Sequence, residues 1–129
     1  MLFRSYNGQA HIVESVQSIV QQTYPHWELL AIDDGSSDRS LELLESVRDA
    51  RVVVEVNDHN LGLVGVRNRI LERARGRYVA WLDQDDLAYP DRLARQVAFL
   101  ESHPDVAACG SWTDILEQHP DGQIGRAHV

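Results

Sequence analysis

The sequence contains no lysine: all twelve of its basic residues are arginine. That absence excludes a P-loop nucleotide triphosphatase, whose phosphate loop carries a lysine, and Schiff-base chemistry, which needs an amine side chain. Cysteine is nearly absent as well. The single Cys109 excludes an internal disulfide and falls short of a zinc-ligand cluster, so the residue is expected to pack as a small buried hydrophobe in a reducing compartment. Apolar runs are all far shorter than the roughly 18 residues that span a bilayer, and Met1-Leu2-Phe3-Arg4 lacks the apolar core of a signal peptide. The expectation is a cytoplasmic chain without an anchor of its own, with membrane association of a parent enzyme on the cytoplasmic side left open. Positive charge is scarce too. A net charge of −8 argues against nucleic acid as a partner, and an anionic ligand would need local help.

What remains is ordinary for one soluble domain: 129 residues, 43% hydrophobic and 25% charged. Ile12, Val16, Ile19 and Val20 recur at helical spacing and predict a helix from about Ala10 to Gln22, ended by Tyr24-Pro25. Glu28 to Ile32 reads as a strand entering the turn Asp33-Asp34-Gly35-Ser36. Leu41, Leu44 and Val47 mark a second helix, and Val52 to Val56 a β-branched strand. Val66, Ile70 and Ala74 define a third helix stopped by Gly76, before a strand from Tyr78 to Leu82. Leu93, Val97 and Leu100 mark a fourth helix between Pro90 and Pro104. Val106 to Cys109 is expected to begin another strand. Pro120-Asp121-Gly122 is a turn suited to a hairpin, and Gly125 to Val129 reads as an unanchored tail. The alternation predicts an α/β fold with a mostly parallel sheet flanked by helices.

In such sheets ligands bind beyond the carboxyl ends of the strands, which here carry Ser5-Tyr6-Asn7, Asp33-Asp34 and Asp83-Gln84-Asp85-Asp86. Three carboxylates in four positions repel one another unless a cation lies between them. Mg²⁺ and Mn²⁺ suit such a run, because they take hard oxygen ligands and commonly combine one or two carboxylates with substrate phosphates. The bland alternative is local. Asp85 and Asp86 serve as turn residues and Asp91 as a helix cap, a reading with about even weight from the run alone.

Ser5-Tyr6-Asn7-Gly8, Ser15 through Ser18 to Gln22-Thr23-Tyr24, Asp33-Asp34-Gly35-Ser36, Asn60-Leu61-Gly62 through Arg67-Asn68, and Asp83-Gln84-Asp85-Asp86 follow one another in an order and spacing that resembles family 2 glycosyltransferases. The resemblance runs from about Phe3 to Trp112 and implies a Rossmann-like GT-A fold. It also implies a nucleotide-sugar donor, most often UDP-linked, a divalent metal, Mg²⁺ or Mn²⁺, and usually inversion at the transferred sugar. Carried over by position, Ser5 and Tyr6 would belong to the nucleotide site, with Tyr6 against the base and Asp34, or its neighbour Asp33, hydrogen-bonded to it. Arg67 would be a cationic partner in the same pocket. Asp83 would serve ribose and metal, and Asp85 would be the more direct metal ligand. Asp86 would support the loop or reach the sugar. His59, in a loop that could approach the base, is better read as structural.

Two departures accompany the resemblance. The opening strand is short, with Arg4 where the family usually has proline, and the family's general base lies further along than Val129. The expectation is therefore a single domain over residues 1–129, truncated at both ends and poorly anchored from about residue 120. It would be a donor-binding portion that is inactive alone, with sugar and acceptor unknown. A non-catalytic, self-associating fragment is the alternative, and uncovered sheet surface leaves a homodimer open. A metal-dependent phosphohydrolase-like domain comes third, disfavoured by the missing lysine.

Overall fold

The computed structural model describes residues 1–118 and 124–127. Its centre is a four-stranded sheet of β1 (Leu2–Ser5), β2 (Leu29–Asp33), β3 (Val52–Val56) and β4 (Trp81–Leu82). The spatial order is β3-β2-β1-β4 and every pairing is parallel. The helices are α1 (Ile12–Val20), α2 (Ser40–Glu45), α3 (Gly62–Arg73) and α4 (Arg92–Ser102).

The strand sequences explain why the sheet is covered on both faces. All five residues of β2 are buried, the continuous apolar pattern of a strand with helices above and below. Side chains alternate between two cores. Phe3, Leu29 and Ala31 pack with Ile12, Val16, Ile19, Leu44 and Leu93, contributed by α1, α2 and α4. Leu2, Leu30 and Ile32 face the other way, onto Val66 and Ile70 of α3. The short opening strand is nonetheless central, with Leu2 beside Leu30 on one edge and Trp81 on the other.

Several elements differ from the sequence expectation. β4 spans two residues rather than Tyr78 to Leu82, because the register places Leu2 opposite Trp81, so Tyr78 and Val79 lie beyond the reach of β1. Helix α1 is shorter at both ends than Ala10 to Gln22. Val106 to Cys109 is irregular rather than a strand, and Cys109 is half-buried rather than buried. Without a neighbouring strand, that apolar run has no ladder to join. The stretch expected to be loose includes β6 (Ile124–Ala127), which pairs antiparallel with β5 (Ile115–Gln118) in a separate two-stranded sheet. The turn Pro120-Asp121-Gly122 lies outside the described residues. Among those described, no helix is long and apolar enough to cross a membrane.

Candidate functional site

The carboxyl ends of β1, β2 and β4 bring the predicted segments to one edge. Ser5 pairs with Asp33 across β1 and β2, and the Asp34 N–H donates to the Ser5 carbonyl at 2.8 Å. Beyond β4 the ladder is continued by a side chain. The Gln84 amide accepts from the Tyr6 N–H at 2.8 Å and donates to the Tyr6 carbonyl at 3.1 Å, tying the acidic run to the end of β1. A Cβ at Gly8 would lie 2.4 Å from Gln84 Oε1, so any larger residue there would push the Gln84 amide away from Tyr6. Asn7 takes a positive φ of 49°, which asparagine tolerates, and accepts from the Ser37 N–H at 2.9 Å.

The Asp33-Asp34-Gly35-Ser36 turn is internally satisfied. Asp33 is buried and accepts from the Ser36 N–H at 2.9 Å and the Ser36 hydroxyl at 2.6 Å. Asp34, fully buried, accepts five hydrogen bonds: Asn57 Nδ2 and the Leu61 N–H on Oδ1, then Arg4 Nε, Arg4 Nη2 and the Gly62 N–H on Oδ2. Burial, the largest influence, would raise the Asp34 pKa; donation from Leu61, Asn57 and Arg4 outweighs it and holds the carboxyl below its ordinary value. The loop carrying His59 and Asn60 packs against Gly35, whose φ is 76°, while the His59 side chain is exposed.

Asp83, Gln84 and Asp85 line a cleft of about 220 Å³ together with Arg4 and Leu63. Asp83 and Asp85 are exposed on one tight turn, in which the Asp86 N–H donates to the Asp83 carbonyl at 3.1 Å. Arg67 Nη2 stands 3.9 Å from Asp83 Oδ1, and its guanidinium lies over Trp81 at 5.1 Å from the ring centroid. Desolvation and then the charges of Asp85 and Asp83 push the Asp86 carboxyl above its ordinary value, opposed by Arg92. Among the described residues no group of three or more histidine, cysteine or carboxylate side chains forms a cage. The donors fit Mg²⁺ or Mn²⁺ held by one or two carboxylates and completed by ligand oxygens.

Sequence reasoning gave no role to what positions the acidic turn. Ser15 and Ser18 of α1, with Gln22 just beyond its end, form a polar stripe. The Ser15 hydroxyl contacts the carbonyls of Asp83 at 3.2 Å and Asp86 at 2.6 Å. Ser18 accepts from the Ala88 N–H, and Gln22 bonds the Tyr89 carbonyl and the Leu93 N–H. The signal was legible: polar residues at i, i+3 and i+7 beside the apolar face of Ile12, Val16 and Ile19 need partners once packed. A Ser15→Ala variant is expected to lose about 1–2 kcal/mol in urea unfolding and to loosen the acidic turn, read as faster amide exchange at Asp86. Unchanged stability and amide exchange would show that the hydroxyl positions nothing.

The family model for glycosyl transferase family 2 matches residues 4–122. The chain belongs to that family. A Haemophilus influenzae protein described as an uncharacterized glycosyltransferase is 37% identical over 123 residues, covering 94% of this chain and 38% of its own length. The Escherichia coli UDP-Glc:alpha-D-GlcNAc-diphosphoundecaprenol beta-1,3-glucosyltransferase WfgD is 36% identical, with 78% of this chain and 40% of that protein covered. Among solved structures, S. aureus TarS 1-349 in complex with UDP-GlcNAc superposes with a TM-score of 0.76 at 29% identity, covering 80% of this chain and 31% of TarS 1-349. The mannosyltransferase PcManGT from Pyrobaculum calidifontis, in complex with GDP-Man and Mn²⁺, gives 0.69 at 27% identity, covering 77% and 31%. The GT-A expectation from sequence thus agrees with the fold. This family 2 chain spans about two fifths of the curated relatives' length.

Proposed function

We propose that this chain carries the donor-binding portion of a glycosyltransferase that moves a sugar from a nucleotide-sugar, UDP-linked, to an acceptor hydroxyl with inversion. The observation that carries the reading is the cleft where the exposed carboxylates of Asp83 and Asp85 stand beside Arg4, with Arg67 close to Asp83. Arginines supply the local attraction for a diphosphate that a chain of net charge −8 otherwise lacks. In this reading Tyr6 stacks on the base, Ser5 and the Asp33-Asp34 turn shape the base pocket, and Asp83 approaches the ribose. Asp85, with Asp83, would hold Mg²⁺ or Mn²⁺. Such an ion, when bound, neutralises charge on the diphosphate leaving group.

The UDP-GlcNAc complex of TarS and the Mn²⁺ complex of PcManGT support donor class and metal by similarity. The general base and the acceptor-binding surface belong, in this reading, to the portion of the relatives that this chain does not span. The phosphohydrolase-like alternative has no observation of its own once the family is known and lysine is absent.

The test is calorimetric titration of UDP into the chain with Mn²⁺ and again with EDTA. The expected result is micromolar to millimolar binding with metal, weakened at least about tenfold by EDTA. A folded chain that binds no UDP with Mn²⁺ would overturn the reading in favour of a fragment without useful ligand affinity.

A further inference from the structure

We infer that Arg4 decides how the base is read, by turning the base-facing corner of the cleft from a hydrogen-bond acceptor into a donor; this rests on the nucleotide-binding reading above. A carboxylate offers about four lone-pair sites. Asp34 already accepts from five donors and is wholly buried, so it has no free acceptor to offer a base N–H. Arg4 spends Nε and Nη2 on Asp34 Oδ2, at 3.0 and 2.8 Å. Its third nitrogen, Nη1, makes no hydrogen bond among the described residues, and Arg4 lines the cleft beside Asp83 and Asp85. The guanidinium carbon lies 5.4 Å from the centroid of the Tyr6 ring, which is itself partly exposed. An uncommitted donor is therefore held over a partly exposed aromatic ring.

Energetics keeps Arg4 in place when a base arrives. For a base N–H to reach Asp34, Arg4 would have to swing away from a buried carboxylate, and a neutral donor would replace a charged one. A single base N–H would replace two hydrogen bonds and an opposite charge, and a buried carboxylate stripped of its cation is strongly disfavoured. A guanidinium only donates. A uracil packed against Tyr6 and Arg4 thus meets the guanidinium through a ring carbonyl, and its N3–H is left unread.

The experiment compares UDP with UDP methylated at base N3, titrated with Mn²⁺ into the wild-type chain and into Arg4→Thr, which frees a side of Asp34. Wild type is expected to bind the two ligands within about fivefold, whereas Arg4→Thr disfavours the methylated one by more than about fivefold, because Asp34 can now accept from N3–H. Thermal melting checks that the variant is folded. Arg4→Met, which keeps the unbranched stem and removes every donor, supplies the same comparison if Arg4→Thr does not fold. Wild type discriminating more than about fivefold against N3-methyl-UDP, or a folded variant discriminating no more than wild type, overturns the inference. No UDP binding by wild type would instead overturn the donor-site reading, so the two failures are distinguishable.

Discussion

In an Asp34→Asn variant the free energy of unfolding falls by about 3–5 kcal/mol, the scale of removing one partner from a buried ion pair. Asp34 is 0% exposed and Arg4 23%, so the cation left behind has only limited access to water. The loss has a second component. Asparagine keeps one acceptor oxygen and replaces the other with an amide that donates. The NH₂ group then faces either Asn57 and the Leu61 N–H or Arg4 and the Gly62 N–H, donors against a donor on whichever side it lies. Urea denaturation near neutral pH measures the difference, and a loss below about 1 kcal/mol would show that the network reorganises at little cost. The pH dependence gives an independent check. The folded Asp34 pKa is lowered from 3.8, so its stabilisation is fully present above the unfolded value and disappears as pH falls through the lower, folded value. The wild-type protein therefore loses stability below about pH 4, and Asp34→Asn flattens that acid limb.

Asp85→Ala is expected to weaken Mn²⁺-dependent UDP binding by about 100-fold or more, roughly 3 kcal/mol, while leaving the melting temperature within a few degrees. The asymmetry follows from position. Asp85 is exposed, lines the cleft and supports no part of the core, so its removal costs the fold little. It also relieves repulsion on Asp86, whose carboxyl is held above its ordinary value by desolvation first and by Asp85 next. Asp86 should therefore titrate closer to the usual carboxylate range in the variant, which carboxylate ¹³C shifts would resolve. Metal-dependent binding equal to wild type would remove Asp85 from the ligand set and leave Asp83 to be tested alone.

The two-faced parallel sheet was readable because its evidence is local. Leu29 to Ile32 is apolar without interruption, Val52 to Val56 is β-branched, and Val66 and Ile70 recur at helical spacing. Element limits set by a neighbour were not. The two-residue β4 depends on where β1 lies beside it, and Val106 to Cys109 is apolar enough for a strand but has no partner to pair with. The same division runs through the site. Carboxylates at strand ends were visible in Asp33-Asp34 and Asp83-Gln84-Asp85, yet nothing in Arg4 alone tells that it will clasp Asp34. That contact follows from the β1–β2 register, which sets Ser5 beside Asp33 and brings the two side chains together. The Gln84 bridge to Tyr6 was hidden for the same reason, since it exists only where β4 ends and β1 continues.

The central position of β1 also has a temporal consequence. β1 leaves the ribosome before either of its partners, and its residue Leu2 pairs with Leu30 on one side and with Trp81 on the other. Until Trp81 is made, one edge of this apolar strand lacks its β4 partner, and closing it joins segments far apart in sequence, a step that slows folding. The acidic turn follows Leu82 immediately, so Asp83 and Asp85 reach their places only as that last edge closes. Cleft formation is thus expected to accompany the pairing of β4 with β1, and amide exchange at Leu2 and at the acidic turn should become protected together during refolding.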